Sequence, residues 1–246
     1  MIRIVKSVSK VTLLAAAIAA ASLFFTAPAA RAQGIDIAIS TTDNPPAIPG
    51  DVVGTGASGT TATFSAANFA GFFIDVLATS SNSPGTPSTA ELEGSTVQIK
   101  NNNAGTATLF ITLGDVNFGA PTSMVTLLSH IGGTVQAGNA ANLMSYGSYV
   151  NTNNSQNGTS GFNTFPQSPS ITATASFSND ASKNLTLTAP YSITERFAIT
   201  LGAGSEINFS SSSTLVPAVP EPASMALLGT ALFGAYGLLR RRIRPS

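Results

Sequence analysis

The chain has no cysteine and no tryptophan, a single histidine, and only 9% charged residues. Without cysteine, no disulfide closes a loop, and the fold depends on its core alone. One histidine and no thiol cannot assemble the usual zinc ligand set. Four tyrosines and no tryptophan leave little of the stacking surface that carbohydrate-cleaving sites lean on. The formal net charge of zero hides an asymmetry. Eight of the eleven basic residues sit at the two ends, as Arg3, Lys6, Lys10, Arg31, Arg240, Arg241, Arg242 and Arg244. All eleven acidic residues lie between Asp36 and Glu221. The stretch between the ends therefore carries three positive against eleven negative charges, a net of minus eight. Such a balance keeps a surface domain soluble and excludes the basic face that nucleic-acid binding needs.

What is present begins with two apolar segments. At the front, Arg3, Lys6 and Lys10 precede an apolar run over residues 11–25, Pro28 breaks it, and Ala30-Arg31-Ala32 supplies a small-x-small cleavage site. This is the pattern of a secretory signal removed after Ala32, which makes signal peptidase and the secretion machinery partners. At the back, Val219-Pro220-Glu221-Pro222 leads into an uncharged run over residues 223–239, followed by Arg240, Arg241, Arg242 and Arg244. Seventeen residues rising about 1.5 Å each reach roughly 25 Å, and snorkelling arginines make up the rest of a bilayer. Arginines after the run hold that end in the cytoplasm, so everything before Ala223 lies outside. The two prolines fix φ and bias their neighbours toward extended backbone, the shape in which proteases bind peptides.

These tail residues resemble the PEP-CTERM sorting signal of Gram-negative bacteria that make exopolysaccharide and biofilms. The resemblance covers about the last twenty-eight residues and implies that the chain is a substrate of an exosortase, a membrane cysteine protease or transpeptidase. On that reading Pro220, Glu221 and Pro222 are recognised, the apolar run anchors the protein in the inner membrane, and Arg240, Arg241, Arg242 and Arg244 orient it. The body then begins outside the cytoplasm and ends at the cell surface or in the extracellular matrix.

Between the ends, residues 33–215 form one domain's length, enough to bury roughly 70% of the unfolded surface. Short runs of Val, Ile, Thr and Phe alternate with Gly, Pro, Asn and Ser clusters, the pattern of strands and turns. Residues 69–77 read as one continuous strand, 80–87 as a loop, and 124–131 as a strand whose Leu127-Leu128 pair also suits a short helix. Residues 151–169 lack periodicity and read as a long surface loop. The clearest strands are 171–177 and the alternation Tyr191, Ile193, Glu195, Phe197, Ile199 and Leu201. Glu195 interrupts that apolar face and reads as a strand end, a bulge or a paired charge. Residues 206–209 read as the last strand, before the serine run 210–213 and a spacer from residue 216. Eight to ten short strands without an amphipathic helix predict an all-β, antiparallel β-sandwich of jelly-roll or immunoglobulin-like type, with a barrel as the alternative.

Candidate chemistry is sparse. Gly54, Gly56 and Gly59 spell G-x-G-x-x-G with Asp75 further on, but Thr60 to Thr63 is poor helix material and the motif needs a helix there. His130 beside Ser129 raises an extracellular hydrolase as an alternative; neighbours on a strand point to opposite faces, which disfavours Ser129 as its nucleophile. Glu91 and Glu93 share a strand face, more as a solvated edge than as a glycosidase pair. Asp115 with Asn117, or Asn179 with Asp180, offers oxygen ligands for calcium without a full binding loop. Sequons at Asn153, Asn157, Asn184 and Asn208 follow from a composition rich in Asn, Ser and Thr. The expectation is a non-enzymatic exported protein without a cofactor. Its alternative role is a carbohydrate-binding or adhesive module that meets exopolysaccharide.

Overall fold

Period-two alternation of apolar and polar residues gives strands with one face to cover, and two such faces closed on each other make a core. The computed structural model describes residues 34–42, 52–164 and 166–218. The expected leader, with Ala30 and Ala32, and the tail beyond Ala218 lie outside these residues. The described residues form twelve strands: β1 (Asp36–Ser40), β2 (Val52–Thr55), β3 (Thr61–Phe69), β4 (Phe72–Ser81), β5 (Ala90–Asn101), β6 (Ala107–Phe118), β7 (Ser123–Ala137), β8 (Leu143–Asn151), β9 (Phe162–Asn163), β10 (Ser176–Leu187), β11 (Tyr191–Leu201) and β12 (Glu206–Pro217). No helix long and apolar enough to cross a membrane lies among the described residues.

The strands make two six-stranded sheets, in the orders β2-β1-β6-β11-β8-β9 and β10-β7-β12-β5-β4-β3, with antiparallel pairing throughout. Consecutive strands from β5 to β8 cross between the sheets, and so do β10, β11 and β12. The quartets β5-β12-β7-β10 and β6-β11-β8-β9 are therefore a jelly roll rather than an immunoglobulin-like sandwich. The hairpins β1–β2 and β3–β4 widen one sheet each. Free edges at β2, β9, β10 and β3 set the molecule apart from a closed barrel.

Inward side chains fill the space between the sheets. Leu109, Ile111 and Leu113 of β6 are fully buried, as are Ile193, Phe197, Ile199 and Leu201 of β11 and Leu92 and Ile99 of β5. Phe197 lies between Tyr146 and Phe209, with ring centroids 4.8 and 4.7 Å away.

Several local expectations are corrected. The apolar run 69–77 is folded back on itself at Ala70-Gly71, both with positive φ, so Phe69 pairs with Phe72. Strand β4 continues through Ser81, and the loop starts at residue 82. The Leu127-Leu128 pair lies in β7, not in a helix, because Leu127 is buried while Leu128 faces out. Ile171 is buried, yet its strand begins only at Ser176. The serine run 210–213 lies inside β12, which extends through Pro217. The strand expected over 206–209 stops short of it, whereas the ladders on both sides of β12 use every second serine as an inward residue.

Segment 151–169 is also more fixed than its composition predicts. Strand β9 pairs with β8, and Gln167 exchanges backbone hydrogen bonds with Tyr146 at 2.8 and 2.9 Å. Asn154 exchanges amide hydrogen bonds of 2.8 Å with Asn117. Side-chain amides supply the ordering that apolar periodicity supplies elsewhere.

Candidate functional site

The most unusual group in the body is Glu195. Strand β11 carries it inward at mid-strand, between Ile193 and Phe197, with 0% exposure. It marks neither a strand end nor a bulge, and neither salt bridge among the described residues involves it. Hydroxyls replace the expected counter-charge. Tyr146 Oη and Ser213 Oγ donate to Glu195 Oε1 at 2.9 and 2.8 Å, and Ser211 Oγ donates to Oε2 at 2.5 Å. Behind them Ser213, Ser148 and Ser129 are linked in series at 2.6 Å each, and Gln167 Nε2 donates to Ser129 Oγ at 2.9 Å.

Each hydroxyl has one proton to give. Ser213 Oγ is placed to donate either to Glu195 Oε1 at 2.8 Å or to Ser148 Oγ at 2.6 Å, and its single proton serves one of them at a time. Burial pushes the Glu195 carboxyl up to about 7; the Ser211, Ser213 and Tyr146 hydroxyls hold it back, and Glu93 adds to the rise. Burial, and then the Glu195 charge, push the Tyr146 phenol well above its ordinary range. Gly94 of β5 leaves the room this needs. A Cβ there would come within 2.4 Å of Leu113 Cδ1 and 2.7 Å of Ser211 Oγ. Every member of the cluster is buried, so its chemistry is to bind the two sheets across their interior. The signal in the sequence was the pairing of one inward acid with the serine run 210–213, which the sequence reading places after the last strand.

On the outer face of the second sheet, His130 Nδ1 lies 2.7 Å from Asp180 Oδ1, with side-chain exposures of 44% and 79%. Ser129 points inward, as its position one residue away requires. Ser212 stands opposite His130 in the β12–β7 register, and the residues line an open depression with Leu128, Ser182 and Thr214. Among the described residues His130 has no hydroxyl partner; its hydrogen bond goes to Asp180. Glu91 and Glu93 sit on β5, accepting from Thr214 Oγ1 at 3.4 Å and Ser80 Oγ at 3.3 Å.

The remaining sequence candidates serve the backbone. Fully buried Asp115 accepts from the Gly59 and Val116 amides at 2.9 and 2.8 Å and from Ser81 Oγ. Its oxygens hold turns together, and its neighbour Asn117 is bonded to Asn154 instead. Gly59 adopts φ +75, where a Cβ would strike the Ser83 carbonyl, and β3 follows it. The glycine motif is therefore a turn between two strands. Asp75 lies on β4.

A second outward feature was not found from the sequence. On the first sheet, Phe110, Tyr149, Pro166 and Arg196 surround a shallow groove of about 230 Å³ floored by Ser145, Gly147 and Ala198. The Arg196 guanidinium lies over the Phe110 ring, 6.0 Å from its centroid. These four residues come from β6, β8, β11 and the segment after β9, so only the pairing of strands unites them.

At the C-terminal end, the Ala218 amide donates to the Met124 carbonyl at 3.0 Å. Pro220, Glu221, Pro222, Arg240, Arg241, Arg242 and Arg244 lie outside the described residues. Residues 218–242 match the PEP-CTERM protein-sorting motif, so the chain carries this motif at its tail. The motif implies an exported protein, transiently anchored in a membrane, with an exosortase as its processing partner.

A search of curated proteins returns no match. Among solved structures, TmCBM61 in complex with beta-1,4-galactotriose is similar at 6% identity and a TM-score of 0.31, over 60% of this chain and 89% of that one. The enzymatically active domain of tailspike protein 4 of bacteriophage CBA120 is similar at 9% identity and 0.29, over 57% of this chain and 19% of its own. A chain of infectious bursal disease virus, Gx strain, is similar at 10% identity and 0.29, over 76% of this chain and 52% of its own. Likeness at this level transfers neither ligand nor activity.

Proposed function

We propose that the protein is a non-enzymatic component of the cell surface or extracellular matrix, exported as a jelly roll and processed by an exosortase through its tail. The observation that carries the reading is the junction: β12 ends at Pro217 and the sorting motif starts at residue 218. Cutting within the motif leaves every strand of the sandwich in place. Pro220, Glu221 and Pro222 are the recognition element, residues 223–239 retain the chain in the inner membrane, and Arg240, Arg241, Arg242 and Arg244 fix its orientation. The test is Glu221→Ala in the native host, with the mature C-terminus read by intact mass. Retention of the uncut tail is expected; an unchanged C-terminus removes the triplet from the mechanism.

A second reading, a carbohydrate-binding or adhesive module of the matrix, is favoured by the groove at Phe110, Tyr149 and Arg196. Aromatic faces pack against the apolar faces of sugars, and a guanidinium donates to hydroxyls or carboxylates. A glycan array on which the protein and its Tyr149→Ala variant gave the same signal would count against it. An extracellular hydrolase built on His130 draws no support from a ring bonded to Asp180 alone, and activity surviving His130→Ala would dismiss it.

A further inference from the structure

The strand that leads into the tail is a central one. β12 lies between β7 and β5, with Pro217 opposite Val125 and Leu215 opposite Ala90. A central strand is held along both sides and cannot peel away to lengthen a tether without opening the sheet. Beyond Ala218, which is still bonded to Met124, only Val219 and the Pro-Glu-Pro triplet precede the apolar run at Ala223. The five steps from Ala218 to Ala223 reach at most about 18 Å whatever the conformation of the four residues between. The body is longer than its tether: a twelve-residue strand such as β12 rises about 40 Å.

Register identifies which loops share the exit. Loop 82–89 precedes Ala90, loop 119–122 precedes Ser123, and loop 188–190 lies between Leu187, paired with Ser123, and Tyr191, paired with Phe118. Loops 102–106, 138–142 and 202–205 lie at the far pole, where Lys100 and Ala137 both face Glu206. The loops at the exit contain no charged residue, and Met124 beside them is 61% exposed, so contact with lipid headgroups desolvates no ion there. The far loops are uncharged too. The short tether, not composition, selects the pole.

We infer that, while the tail is anchored, the exit pole formed by loops 82–89 and 119–122 and by Met124 rests against the lipid headgroup layer, with the far pole turned away. This inference rests on the membrane anchoring proposed above. It also corrects the spacer expected from the sequence, since residues 216 and 217 belong to the sheet.

The absence of cysteine makes the test direct. Single cysteines are placed at Ser88 or Thr122 on the exit pole and at Gly105 or Ala203 on the far pole, all four exposed. A Cβ at Gly105 meets nothing within 4 Å. The chain with its tail intact is reconstituted in phosphatidylethanolamine–phosphatidylglycerol vesicles, labelled with a fluorophore, and quenched by lipid spin-labelled at the headgroup. Quenching at positions 88 and 122 is expected to be several-fold above that at 105 and 203. A flexible Gly/Ser insert of about 25 residues after Ala218, with a root-mean-square reach near 25–30 Å, should erase the difference. Equal quenching at both poles in chains that float with the vesicles overturns the orientation and leaves anchoring intact. Chains that do not float overturn both.

Discussion

Two faces of the same strands carry the polar chemistry of this protein, and they could hardly differ more. On β7, Ser129 faces inward and His130 outward; on β12, Ser213 faces inward and Ser212 outward. The outer set is a water-exposed histidine–aspartate pair. The inner set is a chain of hydroxyls ending on a carboxylate with no exposure. In water such a pair gains little, because solvent screens it and side-chain entropy opposes it. In the core each hydrogen bond is strengthened by the low dielectric, and each lost partner is costly. One residue of register therefore separates a dispensable contact from one on which the packing of two sheets depends.

The largest test of that contrast is Glu195→Ala. It opens a cavity between the sheets and leaves the Tyr146, Ser211 and Ser213 hydroxyls without their acceptor. Each such loss is in the range of 1–3 kcal/mol and the cavity adds to it, so a cost of about 4 kcal/mol is expected. Urea unfolding with an unchanged m-value measures it. A loss below about 1 kcal/mol would mean that the cluster does not bind the sheets.

Acidity sharpens the comparison next. The folded carboxyl of Glu195 titrates near 7 against an ordinary 4.5, so folding takes up a proton between these values. Stability from this group is complete below pH 4.5, falls as pH rises through 7, and is flat above it. A displacement of that size corresponds to roughly 3 kcal/mol. Glu195→Gln keeps the shape and a neutral head, so its unfolding midpoint should lack this decline between pH 4.5 and 8. An equal decline in both proteins would place its origin elsewhere. The cluster gives the effect a structural cause: burial disfavours the charged form, and the Ser211, Ser213 and Tyr146 hydroxyls offset that only in part.

What was legible in the sequence follows from what each feature depends on. Period-two patterning of β6 and β11 made the sheets readable, because burial of one face is a local property of a strand. The tail was readable for the same reason: a sorting motif is one contiguous stretch whose parts stand in their written order. The core cluster was not, because Glu195 meets Ser213 and Ser148 only after β11, β12 and β8 are placed in two sheets. The serine run lies beyond the strand expected over 206–209, yet the structure uses Ser211 and Ser213 as inward residues. Gly94 had no signal at all; its missing side chain matters only beside Leu113 and Ser211. The groove at Phe110, Tyr149 and Arg196 was equally hidden, since its walls come from strands up to 86 residues apart in the chain.

The smallest effect should come from the residue that stands out most in the sequence. His130 is the lone histidine and makes a 2.7 Å contact on the outer face, yet both partners are well exposed and Asp180 sits on the edge strand β10. Removing the ring in His130→Ala takes away a screened pair and leaves no polar atom buried, so a change below about 1 kcal/mol is expected. Raising salt should narrow even that difference, since screening acts on exposed charges first. Chemical unfolding of both proteins at low and high salt makes the measurement. A cost near that of Glu195→Ala would erase the distinction between the two faces, and would require that the outer row from Ser80 through Glu93, Ser212 and His130 to Asp180 holds the second sheet together as firmly as the core does.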